Sequence, residues 1–296
     1  MSGTPMLFTA LGELLGEKAG VLNVGLEGIM LVGGATGYVV TCVTRDANLG
    51  LLAGACGGLL FELILFTMPV VLLNTNQVVT GFALWLLGLG ASKIIGVHYE
   101  DVSAHSFVPN VHLPVLSQLP FVGAVLFSYP WPVYVAASLP VGAWFVLSRT
   151  QHGLSVRAVG DAPRAAEAVG VSVRRWRVTC SVMTGFFAGL GGAFLTVVYV
   201  GRWSPGVTSG AGWIALAIVI VSNWHPLRLM VTAYGFGVLA SLSGVGGALG
   251  WPVSSEVLGM FPYIGAVVLL CVWMWPRRGR GRRLEAPAAL GAIWLR

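Results

Sequence analysis

The chain of 296 residues is 56 % hydrophobic and 9 % charged, with a mean hydropathy of +0.83; a soluble domain carries about 25 % charged residues. So little polar surface cannot coat a globule of this size, which excludes a water-soluble enzyme or a disordered chain and leaves a polytopic membrane protein, with 41 glycines for close helix contacts and 11 tryptophans for membrane interfaces. The net charge of +6 does not make a nucleic-acid surface, because the basic residues gather in short loops and in the tail rather than in a stripe with interleaved aromatics.

A membrane-crossing helix needs about 20 mainly apolar residues. In chain order, Met6 to Leu15 is half a span, readable as a re-entrant helix, an interfacial helix or the remainder of a longer one. It lies within MSGTPMLFTALGELLGEK, which lacks the basic start of a cleavable signal and carries Glu13 and Glu17 where a signal would be apolar. Eight spans are predicted: Leu22–Val43, Leu49–Leu73, Val78–Ile95, Trp131–Leu147, Val178–Val200, a short Trp213–Val221, Leu229–Leu249 and Leu258–Trp275. The proline-interrupted stretch from His98 to Pro130 separates the third and fourth. The fold class is therefore an all-α transmembrane bundle of about eight spans with a broken or re-entrant N-terminal helix.

Charge sets the orientation. The loop after the fourth span holds Arg149, Arg157, Arg164, Arg174, Arg175 and Arg177, and the tail holds Arg277, Arg278, Arg280, Arg282 and Arg283. Alternating spans put both on one side with Lys18, Arg228 and Arg296, so that side carries 14 of the 17 basic residues. Short loops rich in Lys and Arg face the cytoplasm, which makes 98–130 external and the C-terminus cytoplasmic in a multi-pass cell-membrane protein.

Glycines four apart form flat stripes for helix contact: Gly12, Gly16 and Gly20; Gly33 and Gly37; Gly54 and Gly58; Gly185 and Gly189; Gly246 and Gly250. Cys42, Cys56, Cys180 and Cys271 show no metal or redox spacing and read as small buried hydrophobes. His98, His105 and His112, seven apart among prolines, make no ligand face, and no metal site is expected. There is no phosphate-binding Gly-x-x-x-x-Gly-Lys loop and no paired catalytic carboxylates, so the chain is not expected to be an enzyme or to hydrolyse ATP alone.

Four stretches carry candidate chemistry. In the loop RTQHGLSVRAVGDAPRAAEAVGVSVRRWRV, Asp161 is a plausible N-cap and Pro163 suits a first turn. Ala162 to Val169 can then be helical, and Gly170 is placed to end the helix. Two turns are too few to stand alone, so this helix packs on its own spans or serves as a docking knob; Ala165, Ala166 and Ala168 would fit a groove, and Arg157 and Arg164 would meet acidic groups on its rim. In GVLNVGLEGIM, Gly20, Gly25 and Gly28 weaken the helix, and Asn23 and Glu27, four apart, would share a face. Such a break flanks a translocation path or simply satisfies freed backbone groups. Glu62 sits in the middle of the second span, where a carboxylate is a functional candidate by default. Gln77, Thr80 and Trp85 in the third span, with Phe186, Phe187 and Trp213, supply the amide, hydroxyl and aromatic groups that a small polar solute needs; each also serves packing. Asn74 and Asn76 read as turn residues.

The segment RAVGDAPRAAEAVGVSV resembles the coupling-helix region of permease subunits of ATP-binding-cassette (ABC) importers, in the group handling simple sugars, nucleosides and branched-chain amino acids. LGELLGEKAGVLNVGLEGIMLVGG, NQVVTGFALWLLGLGAS and GAGWIALAIVIVSNWHP resemble other stretches of the nucleoside and simple-sugar branch, in the same order. The resemblance runs from Leu11 to about Pro226. It implies an ATPase-coupling role for Arg157, Gly160, Asp161, Pro163, Arg164, Ala165, Ala166, Ala168 and Gly170. It also implies a path for a nucleoside or simple sugar, with Asn23, Glu27, Gln77, Thr80, Trp85 and Trp213 as candidates. The partners it implies are an ATPase subunit that binds ATP and magnesium, a second identical or different permease subunit, an extracytoplasmic substrate-binding protein and the lipid bilayer. No cofactor is implied in this chain. The division is a transmembrane permease domain over 1–276, with external segment 98–130 and cytoplasmic coupling loop 149–177, and a basic tail over 277–296. Trp85 stands where that branch is expected to carry a small polar residue, often Asn, and the tail from Arg277 resembles nothing in the family. The alternative is a secondary transporter driven by an ion gradient, with Glu62 as its attraction; a membrane scaffold without transport is a third reading.

Overall fold

The computed structural model describes residues 1–100, 102, 108–109, 128–251, 253–274 and 286–292; His105 and His112 lie outside them. It is an all-helical bundle. Among the described residues six helices are long and apolar enough to cross a membrane, and Ala211–Val221 and Val257–Leu269 are shorter apolar helices. We number them α1 (Gly3–Lys18), α2 (Leu26–Thr44), α3 (Ala47–Glu62), α4 (Gln77–Gly96), α5 (Trp131–Arg149), α6 (Gln151–Asp161), α7 (Pro163–Ala168), α8 (Val173–Ala193), α9 (Ala211–Val221), α10 (Pro226–Ala248), α11 (Ser255–Gly259) and α12 (Phe261–Met274). Helices α3 and α8 continue as wider π-helical turns over Leu63–Leu72 and Phe194–Val200. The eighth expected span is divided between α11 and α12.

The first helix is neither interfacial nor half a span. It has 16 residues, 14 of them buried, and lies at the centre of the bundle against α8, α9 and α10. A lipid-facing helix can be greasy all round, but a central one can carry polar groups if neighbours satisfy them. This one does: Thr184 donates its hydroxyl to the Gly12 carbonyl at 2.9 Å.

The second organiser is a glycine junction of α2, α3 and α8. A Cβ on Gly189 would stand 2.5 Å from the Gly54 carbonyl oxygen, and one on Gly58 would stand 2.6 Å from that of Gly185. Gly33 meets Gly189 just as closely. Backbones touch here, and any side chain would force them apart. The Gly246–Gly250 pair is different, because Gly250 has a φ of +64° and lies outside α10; it ends a helix and makes no stripe. Among the cysteines only Cys180 is buried, Cys42 is half-buried, and Cys56 and Cys271 are exposed, correcting the expectation that all four are interior.

One end of the bundle gathers Lys18, α6, α7 and the start of α8; we call it the basic end. At the opposite end Trp203 is buried over Gly96 and packs with Ala35 and Tyr38, whose hydroxyl donates to the Val102 carbonyl.

Candidate functional site

The break between α1 and α2 is real and lies inside the bundle. Gly20, at φ +83°, turns the chain out of α1, with the Val21 amide donating back to the Gly16 carbonyl at 3.0 Å. Residues 22–25 then run outside any helix, and side chains accept the amides of Leu22, Asn23 and Gly25. Gln77 Oε1 takes the Leu22 amide at 2.7 Å, Glu13 Oε1 that of Asn23 at 2.9 Å, and Asn23 Oδ1 that of Gly25 at 2.7 Å. Glu62, fully buried, receives the Asn23 side-chain amide at 2.6 Å and the Ser181 hydroxyl at 2.8 Å, and Ser181 lies 2.7 Å from Thr67. Glu17 accepts from the Trp224 indole. Glu13, Gln77 and Asn23 stand in for water around irregular backbone inside the bundle, and Glu62 ties α3, α8 and the turn together. Asn23 and Glu27 do not share a helix face, because Asn23 lies in the turn and Gly25 caps α2.

Glu27 does something else. One of its oxygens accepts from the Thr208 hydroxyl at 2.5 Å and the Gly210 amide at 2.9 Å; the other accepts from the Gly212 amide at 2.7 Å. Those amides open the short helix α9, so a carboxylate from α2 sits where unpaired N–H groups and the helix dipole favour negative charge. Next to Gly212, Trp213 meets Trp85 and Phe82 with ring centroids 5.6 and 5.8 Å away, and Phe82 to Trp85 is 6.3 Å. Trp85 and Trp213 are half-buried and Phe82 is exposed. Thus two expected path residues, Trp85 and Trp213, converge on one aromatic corner beside the Glu27 bracket, with Phe82 as a third member that the sequence reading missed. Gln77 and Thr80 are not there. Gln77 serves the α1–α2 turn, and Thr80 bonds Asn76 and Thr75 at the start of α4. Asn76 caps α4 through the Val78 and Val79 amides. Phe187 is buried against Gly12 and belongs to the core.

At the basic end the coupling loop is mostly helix. Thr150 caps α6 by accepting the Gly153 amide at 3.2 Å, and α6 runs on to Asp161, so Asp161 ends a helix instead of capping the next; Ala162 holds the N-cap position of α7. Pro163 stands in the first turn. Gly170, at φ +86°, ends α7 as expected, with the Val171 amide returning to the Ala166 carbonyl at 2.9 Å in a Schellman pattern. Six residues cannot hold themselves. They are held by Ala166, which is buried with Val159 of α6 and Val173 of α8. Ala166 therefore faces inward and is no part of a docking face. The outward face is Arg164, Ala165, Ala168 and Val169, with Leu154 of α6 exposed as well. Val169 and Leu154 are 79 % and 61 % exposed, an apolar surface on a charged end; aliphatic residues flanked by arginines in a loop were its signal in the sequence. Arg157 is exposed over a cleft shared with Lys18 and Asp161. Gly160 is a close-approach position, where a Cβ would collide with the Lys18 carbonyl at the end of α1. The element bearing α7 is thus pressed directly against the buried first helix.

Comparison with known proteins places this membrane bundle in a family. The chain belongs to the family described as the branched-chain amino acid transport system permease component, whose model matches residues 1–273. Three relatives illustrate it. A putative glucose ABC transporter permease of Haloferax volcanii is 36 % identical, covering 98 % of this chain and 93 % of its own. A nucleoside ABC transporter permease of Lactococcus lactis is 31 % identical over 92 % and 89 %, and a guanosine ABC transporter permease of Bacillus subtilis is 30 % identical over 99 % and 93 %. No solved structure matches. The protein is a multi-pass membrane protein and the permease subunit of an ABC importer.

Proposed function

We propose that this permease carries a nucleoside or simple sugar, with its basic end and C-terminus in the cytoplasm. A separate ATPase subunit, which binds ATP and magnesium, engages the outward face of α7. A second permease chain completes the path, and an extracytoplasmic binding protein delivers cargo at the opposite end. The relatives' cargoes support the solute class, and the aromatic corner of Phe82, Trp85 and Trp213 is suited to stack a nucleobase or the apolar face of a sugar. The observation that carries the coupling role is Gly160: the helix next to α7 abuts the end of α1. A pull on α7 is then passed to the α1–α2 turn and its buried carboxylates. An ATPase can shift the bundle only through contacts that differ between states, and this is a contact able to differ.

The test is reconstitution with the cognate ATPase and binding protein. Val169→Asp and Ala165→Glu, both on the outward face, are expected to insert and assemble normally while losing cargo-stimulated ATPase and uptake by about tenfold or more, as the loss of an interface anchor does. Undiminished stimulation in both variants, with assembly verified, would sink the docking role. Uptake of labelled nucleoside competed by sugars, and the reverse, assigns the cargo.

A further inference from the structure

The family-model match ends at residue 273, but relatives that align over 98 % and 99 % of the chain take in the tail as well, correcting the expectation that it resembles nothing in the family; residues 286–292 are seated in the basic end. The Ala289 amide donates to the Gly160 carbonyl at 2.9 Å, and the Gly291 amide to the Gly20 carbonyl at 3.3 Å. The Ala292 carbonyl accepts from Gln77 Nε2 at 3.4 Å and from Arg177 Nη1 at 3.3 Å. Ala289 is buried, and Leu290 packs on the main core. Seven residues thus bridge α6, the α1–α2 turn, α4 and α8. Gln77 is shared, holding the Leu22 amide through its oxygen and the tail through its nitrogen. The segment spans the joint between the element bearing α7 and the turn that leads into the bundle.

We propose that residues 286–292 form an intramolecular strap that holds the coupling helices against the α1–α2 turn in the resting state and is released when the ATPase moves α7. The inference rests on the coupling role proposed above. Its logic is that of any contact made in one state only: it biases the equilibrium toward that state by its own free energy. The contacts suit a releasable strap. They are four hydrogen bonds, three of them longer than 3.2 Å, and two small apolar anchors, with no ion pair to the tail among the described residues.

Two measurements test it. Ala289→Cys, with Cys42, Cys56, Cys180 and Cys271 replaced by alanine, should react slowly with a charged thiol reagent in the resting assembly and much faster when the ATPase is trapped with ATP and vanadate. Truncation after residue 285 should raise basal ATPase several-fold and reduce its dependence on cargo. Ala289→Arg, which keeps the full chain, should do the same if the truncated protein assembles poorly. Fast labelling at rest shows the strap undocked and overturns the proposal; equal labelling in both states, or wild-type ATPase in truncated and Ala289→Arg proteins, overturns its release. The resting-state measurement needs no ATPase. An intact assembly without any cargo-stimulated hydrolysis therefore condemns the coupling reading, while labelling at position 289 still judges the docking.

Discussion

Glu62 shows how one side chain can be conspicuous in a sequence and still be misread. A carboxylate in the middle of an apolar span invites ion coupling, but its partners are Asn23 and Ser181, far away in the chain and attached to no local pattern. Geometry makes it a clasp. Glu62→Leu strands the buried Asn23 side-chain amide, at about 1–3 kcal/mol, and leaves Ser181 only Thr67 as a partner, so it should lower the melting temperature in detergent markedly; Glu62→Gln, which keeps one acceptor, should lower it less and retain uptake. Normal stability with abolished uptake in Glu62→Gln would instead favour proton coupling. Ala166 teaches the reverse. Its size fits a knob, but the side of a short helix that faces inward cannot be read from six residues, and Ala166 proves to be the anchor. Trp85 and Trp213 were legible as aromatic walls one by one; their meeting, and the part Phe82 takes in it, depended on α9 being held against α2 by Glu27.

At the scale of elements, spacing and composition carried most of the information. Each predicted span overlaps a helix, because a run of apolar residues in a membrane protein has few other outcomes, although the first, Leu22–Val43, begins in the turn ahead of α2. Four-residue glycine spacing predicted the α2–α3–α8 junction for the same reason. Putting a branched side chain there should separate backbones that touch: Gly189→Val is expected to cost at least about 1–3 kcal/mol and to abolish the monodisperse peak in size-exclusion chromatography, whereas Gly142→Val, with open space around it, should elute like wild type. Equal behaviour of the two would refute the junction. The same spacing misled at Gly20 and at Gly250, both of which lie past a helix end at positive φ, since periodicity does not say where a helix stops. Helix ends were also the weak point of the coupling loop, where Asp161 has the chemistry of a cap but is overridden by a helix begun ten residues earlier under Thr150.

For the whole molecule, charge distribution predicts an orientation that a labelling experiment decides. A cysteine at Arg164 should react with an impermeant thiol reagent only in inside-out vesicles, and one at Arg45, exposed in the turn between α2 and α3 at the other end, only in right-side-out cells; the opposite result would reverse the scheme. What the sequence could not disclose is that α1 is the axis of the bundle. Its polarity made it look marginal, because burial by distant helices leaves no mark on a segment's own hydropathy.

That central position has a bearing on biogenesis. Helix α1 is packed chiefly by α8, α9 and α10, which leave the ribosome well over a hundred residues later. With Glu13 and Glu17 along it, the nascent segment is poorly suited to lipid by itself, so it has to wait at the translocon or the bilayer surface and be drawn into place once its walls exist. Assembly of this permease is therefore completed around α1, and a bulky tag inserted ahead of α1 should impede maturation more than the same tag inserted after α12.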